Sequence, residues 1–211
     1  MKLKQEKKSE RSQGLILEAA LQLFSKQGYR GTSIREIAEL AGLSTGNVYH
    51  HFPDKESLFR TLLDQYWAAI DTPDFPFNRA LAAGAFPNDL EALAEAARES
   101  VRDHRQHVAL IYVDVVEFDG THIRKFYSEM ADRFASFLEH RFPDGSLRDQ
   151  LAPGIDPTTG LMVASRLFLH YFAVEILFGV PDQLGKGTPT AIKEISDILR
   201  HGLLRPPSVP K

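Results

Sequence analysis

Hydroxyl, amide, imidazole and ammonium side chains follow one another closely in one short stretch of the chain. They are Ser44, Thr45, Asn47, Tyr49, His50, His51 and Lys55. Side chains of these types hydrogen-bond to base edges and to phosphates, and a single α-helix fits into the major groove of DNA. Gly46, in the same stretch, would leave no side chain between such a helix and the bases. The pattern therefore favours DNA binding.

Catalytic chemistry has less support. The chain contains no His-Glu-x-x-His zinc motif and no phosphate-cradling glycine-rich loop of the P-loop type, and its carboxylates are scattered over polar segments. It has no cysteine, which excludes disulfides, thiolate metal sites and cysteine nucleophiles. We therefore expect that the protein is not an enzyme.

Two histidine pairs could suggest a metal site. His50 and His51 are adjacent, and neighbouring residues on a helix point about 100° apart, so they cannot easily share one ion. His104 and His107 are better spaced, with Asp103 beside them, but a solvated polar face is the favoured interpretation. We expect neither a metal nor a cofactor.

Apolar residues at helical spacing run through almost the whole sequence, so we predict an all-α fold. A first helix is predicted over residues 12–27, and Gly28 supplies the left-handed residue that commonly ends a helix. Pro53 and Asp54 precede a fourth helix.

The second and third predicted helices carry local end signals. Ser33 with Glu36 three residues later has the pattern of a capping box, and Gly42 ends the second helix. Ser44 is placed to cap a third, short helix that runs through His51. Two helices joined by so short a turn form a helix-turn-helix, whose second member enters the major groove.

These residues also carry a family resemblance. The ungapped run from Gly28 to Phe52, followed by Lys55-Glu56-Ser57-Leu58, resembles the N-terminal domain of the TetR/AcrR family of transcription regulators, and the match extends over residues 12–63. The resemblance implies a homodimer that binds a double-stranded DNA operator. It also implies a divergent C-terminal helical domain with a pocket for a small-molecule effector, whose binding releases the DNA.

The resemblance also implies roles for single residues. Phosphate contacts would come from Ser33, Ser44, Tyr49, His51 and Lys55. The residues nearest the bases would be Arg35, Thr45, Gly46, Asn47 and His50. The operator sequence does not follow from the resemblance, because the family varies freely at Thr45 and Asn47.

The charge distribution agrees with a DNA-facing N-terminal end. The net charge is −3, but the first 60 residues carry ten Lys and Arg against seven Asp and Glu, whereas the remainder carries 15 against 21.

Residues 161–180, the most apolar stretch, are interrupted by Arg166, His170 and Glu175, so we expect a buried helix and no membrane span. The lack of cysteine fits a reducing cytoplasm, and we expect a cytoplasmic protein.

The expected domains follow in chain order: a flexible basic arm (1–11), a helix-turn-helix DNA-binding domain (12–53), a connecting helix (54–71), a helical regulatory and dimerisation domain (72–204) and a disordered tail (205–211). Within the regulatory domain, the Pro- and Gly-rich residues 72–87 are expected to form a connection and residues 143–159 an exposed loop. Helices are predicted near residues 89–104, 106–118, 121–142, 159–178 and 190–204.

A ligand pocket in the regulatory domain is harder to place. Aromatic and polar-tipped residues that could line it are Tyr66, Trp67, Tyr112, Glu117, Phe118, Phe126, Met130, His170 and Phe172. Taken one at a time, each of these residues is more often an ordinary core residue than a ligand contact. Glu117 could meet a cationic ligand or lie at a helix end, and the sequence leaves both alternatives open.

Residues 161–178 are apolar on nearly every side, so the helix that they form must be covered all round. A symmetric dimer, with this helix and the last one forming half of a four-helix bundle, is favoured over a monomer with a central helix. The favoured function is a ligand-responsive repressor, ahead of an enzyme and of a helical module that binds protein.

Overall fold

The structure is a computed structural model that describes the backbone of residues 2–203 and the side chains of residues 7–202. Within that range the chain forms twelve α-helices and no β-strand, which confirms the predicted all-α fold. The helices are α1 (Lys2–Gln27), α2 (Ile34–Ala41), α3 (Thr45–His51), α4 (Lys55–Ile70), α5 (Pro76–Ala82), α6 (Ala85–Asn88), α7 (Leu90–Asp103), α8 (Arg105–Phe118), α9 (Arg124–Arg141), α10 (Ser146–Gln150), α11 (Pro157–Ile176) and α12 (Thr188–Leu203). The expected disordered tail, residues 205–211, lies outside the described residues.

Helix α1 begins at Lys2, whereas the sequence suggested a flexible arm as far as residue 11. Residues 2–11 are mostly Lys, Glu, Gln, Leu and Arg, which rank among the better helix formers, and no proline interrupts them. The exposed side chains of residues 7–10 need no burial for the helix to extend. Helix propensity therefore outweighs the polarity that suggested a flexible arm.

The ends of α2 and α3 follow the predicted signals. The Oγ of Ser33 accepts a hydrogen bond from the N–H of Glu36, whose carboxylate accepts one from the N–H of Ser33, so the capping box is confirmed. Gly42 follows α2 in the left-handed conformation, at φ 67°. The Oγ of Ser44 accepts from the N–H of Asn47 and caps α3. These local bonds set the turn of the helix-turn-helix.

Packing divides the chain into two compact units. The first unit contains Met1–Ala69 and Gln106–Lys125, and the second contains Ile70–Arg105 and Phe126–Lys211. Residues 106–125, which the sequence placed in the regulatory domain, thus pack with the N-terminal helices. The core of the first unit joins side chains from α1, α2, α3, α4 and α8, among them Phe24, Ile37, Val48, Phe59 and Leu110.

In the second unit, α7 packs against α5, α6, α11 and α12. Leu93, Ala97, Phe168 and Phe172 are almost completely buried there. The resulting core is built mainly from aliphatic and aromatic side chains.

Two segments of the second unit are more ordered than the sequence suggested. Residues 72–87, expected as a connection, contain α5 and the start of α6, because Phe77, Leu81 and Phe86 are buried and hold the segment in place. Residues 143–159, expected as an exposed loop, contain α10, with Leu147 and Leu151 buried. A few large apolar side chains thus outweigh the turn-forming glycines and prolines. Among residues 2–203, no helix combines the length and apolar character that crossing a membrane requires.

Candidate nucleic-acid interface

Helix α3 presents one polar face and one buried face. Val48 is completely buried and Phe52, just after the helix, is 4% exposed, so these two side chains attach α3 to the core. On the other side Thr45, Gly46 and His50 are exposed, and Tyr49 keeps 56% of its surface accessible. Tyr49 is thus a surface residue and Phe52 a core residue.

Asn47 differs from its exposed neighbours. Its side chain is half-buried, and its Oδ1 is buried with no hydrogen-bond partner among the residues that the structure describes. A buried acceptor without a donor is unfavourable, typically by about 1–3 kcal/mol. The amide of Asn47 therefore has unused hydrogen-bonding capacity beside the exposed face of α3.

A surface cleft of about 700 Å³ lies beside this face. Its lining includes Arg30, Ser33, Arg35, Thr45, Tyr49 and Lys55. These residues come from α2, α3, the start of α4 and the turn before α2, so the fold brings together side chains up to 25 positions apart. The structure thereby places five of the ten predicted DNA-contacting residues around one concave surface.

Two of the residues from the start of α2 already have intramolecular partners. The Oγ of Ser33 donates to Glu36 Oε2 at 2.7 Å and accepts from the N–H of Glu36 at 3.2 Å. The hydroxyl and the N–H of Ser33 both donate to the Glu36 carboxylate and hold the pKa of Glu36 below its usual value. Arg35 forms an exposed ion pair with Glu39, with Nε 2.9 Å from Oε1. An exposed pair of this kind is weak, so Arg35 can leave it at little cost.

Lys55 lines the cleft, but its ammonium group is bound by the protein itself. Its Nζ donates to the carbonyl oxygens of Tyr29 at 2.8 Å and Thr32 at 2.7 Å, and it lies 4.1 Å from the centre of the Tyr29 ring. Burial lowers the pKa of Lys55, while the charges of Glu117 and Glu36 act in the opposite direction. Two of the three ammonium protons are therefore engaged, a structural role that the sequence did not reveal.

His50 and His51 form a ring pair on the last turn of α3, with their centroids 5.2 Å apart and nearly perpendicular planes. Burial, followed by the charge of His50, lowers the pKa of His51. Within the described part of the chain, no group of three or more His, Asp or Glu side chains could hold a metal ion.

Residues Gly42, Ser44 and Gly46 also have the Gly-x-Ser-x-Gly spacing of many hydrolase nucleophiles. That motif works on a sharp turn from a strand to a helix. Here the serine lies between two helices, and its Oγ is the N-cap that accepts from the N–H of Asn47 at 3.2 Å. The spacing therefore has a structural cause in the helix-turn-helix.

Five of the predicted ligand-pocket residues belong to the first unit. Tyr66 is buried and stacks on His107 at 5.3 Å, and Trp67 lies 5.3 Å from Tyr66. Tyr112 is 37% exposed. Glu117 and Phe118 are the remaining two, at the end of α8.

Glu117 and Phe118 contact the turn between α1 and α2, and Phe118 also contacts α4. The Glu117 carboxylate accepts hydrogen bonds from the N–H groups of Tyr29 at 2.9 Å and Arg30 at 2.7 Å. Phe118 packs against the Tyr29 ring at 4.6 Å and the Phe59 ring at 5.1 Å. Of the two alternatives for Glu117, the structure supports the position at a helix end over the contact with a cationic ligand.

The other four predicted pocket residues lie in the second unit. Phe126 and Phe172 are buried, Met130 is half-buried and His170 is exposed. The guanidinium of Arg133 lies 5.0 Å from the Phe126 ring. A ligand-binding role for these residues stays a prediction.

A second polar cluster in the first unit was not predicted. Asp114 is completely buried, and its Oδ1 lies 2.6 Å from Nδ1 of His122, while Oδ2 accepts from the N–H of Ile123 at 3.2 Å. On the other side of the ring, Nε2 of His122 lies 3.5 Å from Oε1 of Glu56. No local signal could have revealed this cluster, because Glu56 is far from the other members in sequence.

Comparisons with known proteins agree with this architecture. The profile described as bacterial regulatory proteins of the tetR family matches residues 16–62. The HTH-type transcriptional repressor KstR2 of Rhodococcus jostii (strain RHA1) is 30% identical over 142 residues, which cover 64% of this chain and 68% of that protein. The HTH-type transcriptional regulator AcrR of Shigella flexneri is 30% identical over 146 residues, or 66% of this chain and 67% of the relative.

Among solved structures, NalD, the secondary repressor of the MexAB-OprM multidrug efflux pump in Pseudomonas aeruginosa, superposes with a TM-score of 0.61 at 23% identity. The superposition covers 93% of this chain and 98% of NalD. At this identity the likeness shows a shared fold.

Proposed function

This chain belongs to the tetR family of bacterial regulatory proteins, and we propose that it is a homodimeric repressor that a small, largely apolar ligand releases from its operator. Family membership makes it a DNA-binding transcription regulator and not an enzyme. The direction of regulation, the dimer and the ligand are the proposed parts.

The observation that carries DNA binding through α3 is the division of that helix into two faces. Val48 holds it to the core, while Thr45 and Tyr49 stay exposed on the opposite side, one turn apart. A helix presented in this way can lie in the major groove with its N-terminal residues at the base edges. A Cβ at Gly46 would meet only Ser44 Oγ, at an ordinary 3.8 Å, so intramolecular packing does not require glycine there. Close approach of DNA gives Gly46 a function.

We assign base contacts to Arg35, Thr45, Gly46, Asn47 and His50, and phosphate contacts to Ser33, Ser44, Tyr49, His51 and, with its one remaining proton, Lys55. Asn47 is the third residue of α3, and an Asn near the N-terminus of a recognition helix can bind an adenine through both atoms of its amide. The cleft that Tyr49 and Arg35 help to line offers hydroxyl and guanidinium groups to the DNA backbone.

Repression is proposed because relatives of this chain include the named repressor KstR2. A dimer is proposed because α11 keeps apolar side chains exposed at Val163 and Leu167, four residues apart on one face, and α12 leaves 72% of Ile198 exposed. Exposure of such apolar side chains to water is unfavourable, and a second copy of the chain would cover them. Two recognition helices held about 34–36 Å apart would then reach successive major grooves.

The ligand would act by shifting the dimer between two arrangements of its recognition helices. The apolar and aromatic side chains predicted for the pocket favour a largely apolar ligand. In the second unit these are Phe126, Met130 and Phe172, with His170 as a polar group.

The decisive experiment is equilibrium binding of the full chain to DNA from upstream of its own coding region, with scrambled DNA of equal length as the control. The salt concentration is varied, because phosphate contacts alone produce binding that falls steeply with salt. We expect selective binding that survives moderate salt and saturates at an even number of chains per site. If the upstream DNA behaves like the scrambled DNA, selection from random sequences decides whether any operator exists.

Two matched variants test whether α3 is the helix that contacts the DNA. Tyr49→Ala removes an exposed tyrosine of the recognition helix, whereas Tyr127→Ala removes an exposed tyrosine of α9. We expect only Tyr49→Ala to weaken DNA binding. Equal binding by the two variants would contradict the proposed interface, and failure of the wild-type chain to select any DNA would contradict the function itself.

A further inference from the structure

The turn between α1 and α2, residues 28–32, holds a carboxylate from a distant part of the chain. Oε1 of Glu117 accepts from the N–H of Tyr29 at 2.9 Å, and Oε2 accepts from the N–H of Arg30 at 2.7 Å. The guanidinium of Arg30 donates back to the carbonyl oxygen of Glu117 at 3.3 Å. Successive backbone N–H groups that converge in this way form a nest that binds anions.

Gly28 makes this approach possible. Its φ is +79°, a conformation that residues with a side chain rarely adopt. A Cβ at this position would also lie 2.5 Å from Glu117 Oε1, well inside van der Waals contact. Glycine is therefore required twice, by the backbone conformation and by the carboxylate above it.

The same turn is held from other directions. Lys55 donates to the carbonyl oxygens of Tyr29 and Thr32, and the Gln27 side chain donates to the carbonyl oxygen of Gly31 at 2.9 Å. The Thr32 hydroxyl donates to the carbonyl oxygen of Gly28 at 2.8 Å. With these polar groups engaged, the turn has one favoured position relative to α4 and α8.

That position determines where α2 begins. Thr32 is followed at once by Ser33, the N-cap of α2, and Arg30 and Arg35 on either side of it line the cleft beside α3. Glu117 itself lies one residue before the end of α8, and Phe118 packs on Tyr29. A displacement of the end of α8 would therefore pull the carboxylate out of the nest and release the turn.

We propose that Glu117 is a positioning residue for DNA recognition, which holds the start of α2 where the cleft can receive the DNA backbone. It touches no DNA itself and acts through the α1–α2 turn. The end of α8 thereby becomes a point from which DNA affinity is controlled. The proposal rests on the proposed DNA-binding function, but its structural part is measured without DNA.

The first test is the binding of Glu117→Gln to the DNA that the wild-type chain selects. The amide NH₂ cannot accept a hydrogen bond, so one of the two backbone N–H groups loses its partner, and we expect affinity to fall about tenfold or more. Electrostatics alone predicts the opposite sign, because the substitution removes a negative charge from a protein that binds a polyanion. Glu139→Gln, which removes an exposed carboxylate of α9, is the control with the same charge change.

We expect Glu139→Gln to bind as tightly as the wild type or slightly more tightly. If Glu117→Gln behaves like Glu139→Gln, Glu117 has no positioning role and the proposal is overturned.

The second test uses backbone amide exchange of the free protein. In Glu117→Gln at least one of the N–H groups of Tyr29 and Arg30 should exchange at least tenfold faster, while the buried core of α3 and α4 keeps its protection. Unchanged exchange at Tyr29 and Arg30 would refute the nest. If the exchange rate rises uniformly in all helices of the first unit, Glu117 stabilises the fold in general. That result would equally overturn the positioning role.

A double-mutant cycle tests the contact with Gly28. Gly28→Ala is compared in the wild type and in Glu117→Ala. In both it should lower the midpoint of unfolding, because position 28 has a positive φ, but in Glu117→Ala the clash with Oε1 is absent. We therefore expect a smaller shift of the midpoint in the Glu117→Ala background. Equal shifts would contradict the contact. If the wild-type chain selects no DNA, the proposed function fails, whereas the exchange and the cycle still decide whether the nest exists.

Discussion

Nδ1 of His122 lies 2.6 Å from Oδ1 of Asp114, a carboxylate with no exposed surface. The pair joins α8 to the turn that follows it, and Nε2 of the same ring lies 3.5 Å from Glu56 at the start of α4. A buried carboxylate needs partners, because its charge or its polar oxygens otherwise remain unsatisfied. His122 therefore stabilises the contact between α8 and α4 within the first unit.

Replacement of His122 tests this contribution. We expect His122→Ala to lower the free energy of unfolding by about 3 kcal/mol, because it leaves Asp114 buried without its ring partner. Urea titration followed by circular dichroism measures the change, with His140→Ala on the exposed side of α9 as the control. A loss no larger than that of the control would show that the pair does not contribute to stability.

Lys55 should behave as a structural residue more than as a phosphate ligand. Lys55→Ala removes the donors to the carbonyl oxygens of Tyr29 and Thr32, and we expect a loss of about 1–2 kcal/mol in the free energy of unfolding. We expect the salt dependence of DNA binding to change less than in Arg30→Ala, whose side chain is 78% exposed. A larger change for Lys55→Ala than for Arg30→Ala would show that its phosphate contact outweighs its structural role, and Lys26→Ala serves as the exposed lysine control.

Residues of α3 should separate into two groups by their effect on sequence preference. Thr45→Ala and Asn47→Ala should each change discrimination at single base pairs by about 1–3 kcal/mol, because these side chains lie at or beside the face assigned to the bases. Tyr49→Phe should weaken binding to all sequences alike, since it removes only the hydroxyl that we assign to a phosphate contact. Binding to a panel of single-base variants of the selected site distinguishes these outcomes, and uniform losses from all three substitutions would refute the assignment.

His51 predicts a pH dependence of DNA binding with a definite sign. Burial and the charge of His50 lower its pKa below the ordinary 6.5, so the free protein carries it mostly neutral at pH 7. A phosphate contact favours the charged form and raises the pKa in the complex, so binding takes up a proton. Affinity should therefore rise as the pH falls from about 7 towards the lowered pKa of the free protein, and His51→Gln should remove this rise.

The stability of the free protein should change in the opposite direction. A histidine whose pKa is lower in the folded state favours the neutral form there, so its protonation below pH 6.5 favours unfolding. As the pH falls below 6.5, the unfolding free energy of the wild type should therefore decrease relative to that of His51→Gln. A pH-independent difference would contradict the lowered pKa, whereas an unchanged affinity profile would contradict the phosphate contact.

The exposed apolar face of the second unit should be the dimer interface. Leu167→Arg places a charge on the face of α11 that also carries Val163, and we expect sedimentation to show monomers where the wild type shows dimers. DNA affinity should fall about a hundredfold, because the second recognition helix no longer binds as part of the same molecule. Leu184→Arg, at an equally exposed leucine before α12, is the control. Dimers that persist in Leu167→Arg would place the interface elsewhere.

The local part of the fold could be predicted from the sequence. Ser33 with Glu36, Gly42 and Ser44 determine the ends of α2 and α3, because each bond spans only a few residues and so depends on spacing alone. The buried position of Val48 follows from helical periodicity in the same way. These signals were enough for the helix-turn-helix and for the exposed face of α3.

Other features depended on which helices pack together. Glu117 accepts a hydrogen bond from Tyr29 across 88 positions, and the Lys55 ammonium donates to the carbonyl oxygens of Tyr29 and Thr32. Residues 76–82 are helical although the sequence suggested a connection, because Phe77 and Leu81 are buried in the core. A hydrogen bond between neighbours in sequence is determined by backbone geometry, whereas one between distant helices exists only after hydrophobic packing has set their separation. The sequence alone therefore determined the recognition helix, and the tertiary structure decided how that helix is held in place.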